Sequence, residues 1–143
     1  MKDVLIVCYG MGCGGAEKSL ISFLNRLPKD RWNVDLIVAN PNGMYMKQIP
    51  STVHFLNNQY ELENFATPMS LRRKKVCNGR DLINQASWQI KSRYLCKNLS
   101  WNEKRWELWG KHLPKLKKRY DLAISYMNGP TNYYVIDKVT AKK

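Results

Sequence analysis

Residues 4–8, Val4-Leu5-Ile6-Val7-Cys8, form a continuous apolar run rich in β-branched side chains, and the run ends in the glycine cluster YGMGCGG of residues 9–15. A segment apolar at every position, rather than at every second one, has no face to give to water. It fits a strand covered on both sides, the usual situation in a parallel sheet. Directly after the glycines the pattern turns helical from Ala16 to Leu27, with Leu20, Phe23, Leu24 and Leu27 on one face. Pro28 stops that helix. Val34 to Ala39 is a second buried strand, closed by Asn40-Pro41-Asn42-Gly43. Strand, helix and strand in such quick succession make a βαβ unit, whose crossover is almost always right-handed.

Val53-His54-Phe55-Leu56 reads as a third, short strand, and residues 57–80 as a loop that becomes basic. Residues 81–99 read as a helix carrying Ile83, Ala86, Ile90 and Tyr94 on one side. Residues 102–118 read as another, through Trp106, Trp109, Leu113 and Leu116, with Pro114 placed to kink or divide it. Leu122 to Tyr126 is a further strand, and Pro130 stands in the first turn of a last helix that runs to about Val139. The succession predicts an α/β fold, a Rossmann-like open parallel sheet of order 3-2-1-4 with helices on both faces. At 143 residues and 44% apolar content the chain is expected to be one folded domain with a real core. Doubly wound domains normally carry another strand beside the fourth, so the expectation is a partial domain with an unfinished sheet edge.

No apolar run is long enough for a membrane span. The start, with Lys2 before a short apolar stretch and no small-residue cleavage site, does not read as a secretory signal. The chain is therefore read as cytoplasmic. Cys8, Cys13, Cys77 and Cys96 show no C-x-x-C spacing and have only His54 and His112 to help them, which argues against a metal site and for reduced, mostly buried thiols. Charge is uneven. Residues 1–70 are balanced, whereas residues 71–119 carry a net charge of +12 out of the chain's +13 and hold four of its five tryptophans. Such a concentration points to an anionic partner surface.

Gly10, Gly12 and Gly15 satisfy G-x-G-x-x-G between a strand and a helix, the dinucleotide fingerprint in its proper context. That fingerprint also wants an acid closing the second strand, where this chain has Asn40-Pro41, with Asp35 near the strand's start. A P-loop needs Gly-Lys-Ser/Thr, and Lys18-Ser19 comes two residues late. A third reading keeps the physics without the cofactor: glycines let the main chain approach a ligand, and the helix start points free N–H groups at an anion. A tight turn with no ligand is the plain alternative.

Gly14-Gly15-Ala16-Glu17-Lys18-Ser19-Leu20 after the first strand resembles the GGAEKSL-type start of family-4 GT-B glycosyltransferases. Leu27-Pro28, Val34 to Val38, Gly43, Ile49-Pro50 and Val53 follow in the family's order, as do Leu113 to Tyr126, Gly129-Pro130-Thr131 and Ala141-Lys142-Lys143. The match is loose between about residues 57 and 105. The resemblance implies the N-terminal, acceptor-side half of a two-domain enzyme that retains anomeric configuration without a bound metal. In that family the C-terminal domain holds most of the nucleotide-sugar, UDP being the commonest nucleotide, and bacterial members build surface polysaccharide on lipid carriers. The implied partners are a C-terminal donor-binding domain, a saccharide or lipid-linked acceptor and a membrane. The chain alone is then expected to have no catalytic residue and no transferase activity.

The backbone N–H groups of Gly14, Gly15 and Ala16 are expected to meet the donor diphosphate, stabilising charge that develops on the leaving group. Glu17 takes either a substrate role or that of balancing the helix dipole. Tyr126, Asn128, Gly129 and Thr131 follow the fourth strand, where open α/β sheets bind ligands at the switch in strand order. Thr131 is equally placed to cap the last helix. Arg72, Arg73, Lys74 and Lys75, with Lys115, Lys117, Lys118 and Arg119, suit a membrane surface when combined with tryptophans, on the inner face of the plasma membrane. A solvated face of ordinary helices is the alternative. Nucleic acid is disfavoured, because no RNA- or DNA-binding motif accompanies the charge. The competing classes are thus a basic nucleic-acid or acidic-partner binding module and a nicotinamide-binding Rossmann domain.

Overall fold

The computed structural model describes residues 1–56, 90, 94, 99–108, 110, 113 and 115–143. Its main sheet is built from β1 (Lys2–Gly10), β2 (Trp32–Asn40), β3 (His54–Phe55) and β5 (Leu122–Ser125). All pairings are parallel and the order is β3-β2-β1-β5. This is the expected order, with Leu122–Ser125 in the fourth place; a two-residue strand β4 (Arg119–Tyr120) precedes it in the chain. The fold is an open, Rossmann-like α/β sheet. β1 lies between β2 and β5, so that Val4 is level with both Val34 and Leu122.

The apolar run of β1 has no polar member because both of its faces are covered. Val4, Ile6 and Cys8, with Leu36 and Val38 of β2, pack on Leu20, Ile21 and Leu24 of helix α1 (Gly15–Arg26). Leu5, Val7, Ile37 and Ala39 point the other way, onto Trp106 of α2 (Trp101–Leu108) and Tyr134 of α3 (Pro130–Lys138). Strand alternation thus sends one parity of residues to α1 and the other to α2 and α3. The apolar face predicted for α1 is the buried one, apart from Phe23, which is 39% exposed at its edge.

Helix α2 starts at a reciprocal cap. The Glu103 carboxylate accepts from the Ser100 N–H at 2.7 Å, and the Glu103 N–H donates to Ser100 Oγ at 3.4 Å. The helix predicted over 102–118 is shorter in the structure: it ends at Leu108, and residues 115–118 are not helical. Gly110 explains part of this, since Trp106 packs so closely on it that a Cβ there would overlap the indole. Leu116 then donates its N–H to the Lys138 carbonyl, which commits this stretch to α3 rather than to a continuing helix. The predicted loop over 57–80 and nearly all of the helix predicted over 81–99 lie outside the described residues.

Beyond α3, β6 (Thr140–Ala141) pairs in parallel with β4. The Ala123 N–H also donates to the Lys143 carbonyl at 2.9 Å. Residues 140–143 therefore run along the outer side of residues 119–123, at the sheet edge that the sequence leads one to expect unfinished.

Candidate functional site

Two connections meet at the carboxyl end of the sheet. One is the glycine loop, which leaves β1 and enters α1; the other runs from β5 into α3. Because α1 covers one face and α3 the other, the two loops part at the ends of β1 and β5, the crevice position of this topology. This is the switch point at which open α/β sheets receive ligands. The Tyr126 N–H donates to the Val7 carbonyl at 2.9 Å and so continues the β1–β5 ladder into the second loop. Tyr126 then reaches across to α1. Its hydroxyl is 2.9 Å from Ser19 Oγ, and its ring centroid is 6.4 Å from that of Phe23.

The glycine loop is held from beneath. Met11 is fully buried, and its carbonyl accepts the Tyr45 N–H at 3.2 Å. Gly43 presses on the same carbonyl so closely that a Cβ would overlap it. Above this anchor Cys13, Gly14, Gly15 and Ala16 are exposed. Gly14 is the N-cap of α1, with φ −84° and ψ 170°, and no side chain caps the helix there. The first-turn amides thus have no side-chain cap at Gly14, and they lie at the positive end of the helix dipole. Glu17 folds back over the loop: a Cβ on Gly14 would lie 2.5 Å from Glu17 Oε2, and one on Gly12 would lie 3.6 Å from Oε1. Its carboxylate thus rests against the glycines, next to the positive helix end.

The second loop is organised from within. Gly129 has φ 148° and ψ −154°, a conformation essentially restricted to glycine. Thr131 is 1% exposed, and its hydroxyl donates to the Met127 carbonyl at 3.2 Å, with Ser125 Oγ at 2.9 Å. Asn132 Nδ2 donates to Asn128 Oδ1 at 3.0 Å. Among the residues expected at this loop, Asn128 is exposed, and Tyr126 and Gly129 are half-buried. Thr131 instead shapes the loop from inside. It does not cap α3, since Gly129 holds the N-cap position and no side chain bonds there.

The basic residues lie elsewhere. Lys115, Lys117 and Arg119 are exposed near the amino end of the sheet. Lys118 is not free: its ammonium bonds Asp3 Oδ1 at 2.8 Å and Asp35 Oδ2 at 3.0 Å. Arg72, Arg73, Lys74 and Lys75 lie outside the described residues. Asp35 is buried at 2% exposure and also accepts from the Tyr120 hydroxyl at 2.8 Å, with His54 Nδ1 at 3.1 Å. Burial alone would raise its pKa, but hydrogen bonds from Tyr120, Lys118 and His54 overcome that and hold the carboxyl below its usual range. The Tyr120 hydroxyl is pushed up, by burial first and then by its bond to Asp35. Burial also pushes the Cys8 thiol up to about 12, with Glu17 adding to the effect. Cys13, by contrast, is exposed on the glycine loop.

The sequence pointed to the loops but not to the contact between them. Ser19 and Tyr126 are separated by 107 positions, and no local pattern pairs them. The signal for Asp35 was present, as the one acid in an apolar strand. Among the described residues no helix is long and apolar enough to cross a membrane. Compared with protein-family models, curated proteins and solved structures, the chain matches none.

Proposed function

We propose that this chain is the acceptor-side domain of a retaining glycosyltransferase of the family-4 GT-B type, which moves a sugar from a nucleotide-sugar to a saccharide or lipid-linked acceptor in bacterial surface polysaccharide synthesis. The observation that supports the reading is the meeting of α1 with the loop after β5 at the carboxyl ends of β1 and β5, where the Tyr126 hydroxyl lies 2.9 Å from Ser19 Oγ beside the uncapped start of α1. Gly14, Gly15 and Ala16 offer amides to a donor diphosphate, and the resemblance of Gly14 to Leu20 to the family's first loop supplies the chemistry. Such amides are pre-oriented, so charge appearing on a leaving phosphate is met without reorganisation. Tyr126, Asn128 and Gly129 take the acceptor side. A donor-binding domain closing over the crevice completes the site, and a lipid-linked acceptor puts the protein at the inner face of the plasma membrane.

The nicotinamide reading is disfavoured by Asp35. It lies five residues before the end of β2, roughly 16 Å from the position of a ribose-binding acid, and is engaged by Tyr120, Lys118 and His54. Calorimetric titration with UDP, a UDP-sugar and NADH tests the proposal. Binding of the uridine nucleotides without NADH is expected, together with no sugar transfer by the 143-residue chain alone. Binding of NADH in preference to UDP overturns the reading, and transfer by the chain alone overturns the division of labour.

A further inference from the structure

The amino end of the sheet, opposite the crevice, combines an apolar depression with an excess of positive charge among the described residues. A groove of about 240 Å³ opens there between the end of α1 and the start of β2, lined by Met1, Leu27, Pro28, Trp32 and Val53, with Lys29 at its rim. Met1 is 79% exposed. Lys2 holds its ammonium 5.7 Å from the Trp32 ring centroid, and its N–H donates to the Arg31 carbonyl at 2.9 Å, which fixes the two basic residues side by side. Lys2, Lys29 and Arg31 are all exposed. Lys115, Lys117 and Arg119 reach the same end, because they lead into β5, whose Leu122 is level with Val4.

Among the described residues, most acids at this end are paired with lysines. Asp3 and Asp35 are bonded to Lys118, and Asp121 is bonded to Lys142 at 2.6 Å. Among the described residues of the groove's rim, Asp30 is the exposed acid set against Lys2, Lys29 and Arg31. An aliphatic groove offers nothing to a phosphodiester backbone, whereas a tryptophan, a methionine and long cationic side chains around an apolar hollow suit the boundary between headgroups and acyl chains.

We propose that this end of the sheet is a docking surface for a bilayer of anionic lipids, with Met1 and Trp32 entering the headgroup boundary and Lys2, Lys29 and Arg31 meeting the lipid phosphates. The inference does not rest on the transferase reading. It uses residues outside the basic 71–119 segment for the groove itself.

The test is flotation of the full chain with vesicles of phosphatidylcholine alone and of phosphatidylcholine mixed with phosphatidylglycerol. Binding to the mixed vesicles only is expected. The double variant Lys29→Glu/Arg31→Glu should lower the partition coefficient by about tenfold or more, because each cation near an anionic leaflet contributes separately. Lys47→Glu, on the turn beside the glycine loop, should leave it unchanged. Circular dichroism and thermal melting confirm that each variant is folded. With brominated phosphatidylglycerol, part of the tryptophan quenching should disappear in Trp32→Phe. Full binding by the Lys29/Arg31 variant, quenching unaltered in Trp32→Phe, or equal binding to single-stranded nucleic acid overturns the proposal. Loss of vesicle binding with uridine-nucleotide binding intact isolates the groove from the crevice.

Discussion

The Tyr120 hydroxyl donates to Asp35 Oδ2 at 2.8 Å, joining two residues 85 positions apart at the buried amino end of the sheet. Lys118 and His54 complete the shell of that carboxylate, so β2, β3 and the strand leading into β5 converge on one acid. A buried carboxylate is tolerable only when so many donors replace its water. Asp35→Ala should therefore destabilise the domain by about 2–3 kcal/mol in denaturant unfolding, most of it from the buried Tyr120 bond. Lys118 is 41% exposed at its side chain and contributes less.

The pH dependence has a definite sign. Asp35 is held below its usual value of 3.8, so its contribution is complete above that value and is lost as pH falls through the lower folded value. Tyr120 and Lys118 are shifted upward from 10.0 and 10.5, so their contributions are complete below those values and fade as pH rises through the higher folded ones. Urea midpoints measured across pH should show a plateau between the two limbs. In Asp35→Asn the acid limb should be shallower than in the wild type. An unchanged acid limb in that variant would remove Asp35 as its source.

Gly43 should tolerate no side chain. Its φ of −179° is ordinary extended backbone, so the constraint is purely one of space against the Met11 carbonyl. Gly43→Ala should cost about 1–3 kcal/mol through overpacking, and should displace the glycine loop that Met11 anchors. Gly10→Ala is the contrast, because a Cβ there meets its nearest neighbour, the Asn40 carbonyl oxygen, at an ordinary 3.7 Å. Melting temperatures of the two variants, compared directly, check the difference.

Gly129 poses the opposite problem, with open space around it and a forbidding backbone. Gly129→Ala should cost about 1–3 kcal/mol from strain at φ 148° alone, without any clash. The Ser125–Thr131 contact should weaken with it, seen as faster amide exchange at the start of α3.

Much of the architecture was legible because β1 and β2 are covered on both faces, which makes their runs apolar throughout, and because α1 has a clean stripe ended by Pro28. The strand order followed from the same pattern. The length of α2 was misread because the apolar spacing of Trp106, Leu113 and Leu116 continues past the helix; Leu113 and Leu116 do pack in the core, but from a non-helical segment. The Ser100–Glu103 cap and the close packing of Trp106 on Gly110, which bound the helix, were not read from the sequence. Gly14 to Ala16 were expected at the head of α1, and they lie there, exposed and without a side-chain cap. The burial of Thr131 was not legible, since it is decided by Ser125 and Met127. Lys118 looked like one more surface cation in a basic run, and only the folded chain brings Asp3 and Asp35 to it.

The Ser19–Tyr126 bond joins α1 to the second loop across the crevice. Being exposed, it should contribute at the low end for a hydrogen bond, about 0.5 kcal/mol, in a double-mutant cycle of Ser19→Ala and Tyr126→Phe. A coupling near zero would mean that the two loops are positioned by backbone alone.

We propose that the amides heading α1 and the loop after β5 receive one phosphate-bearing ligand together. Amide-resolved NMR of the chain during titration with UDP tests it most directly. Saturable shifts are expected at Gly14, Gly15 and Ala16, accompanied by shifts at Asn128 and Gly129, with the β3 and β4 amides unmoved. Shifts confined to the basic amino end of the sheet, or none at Gly14 to Ala16 in a folded protein, would contradict it.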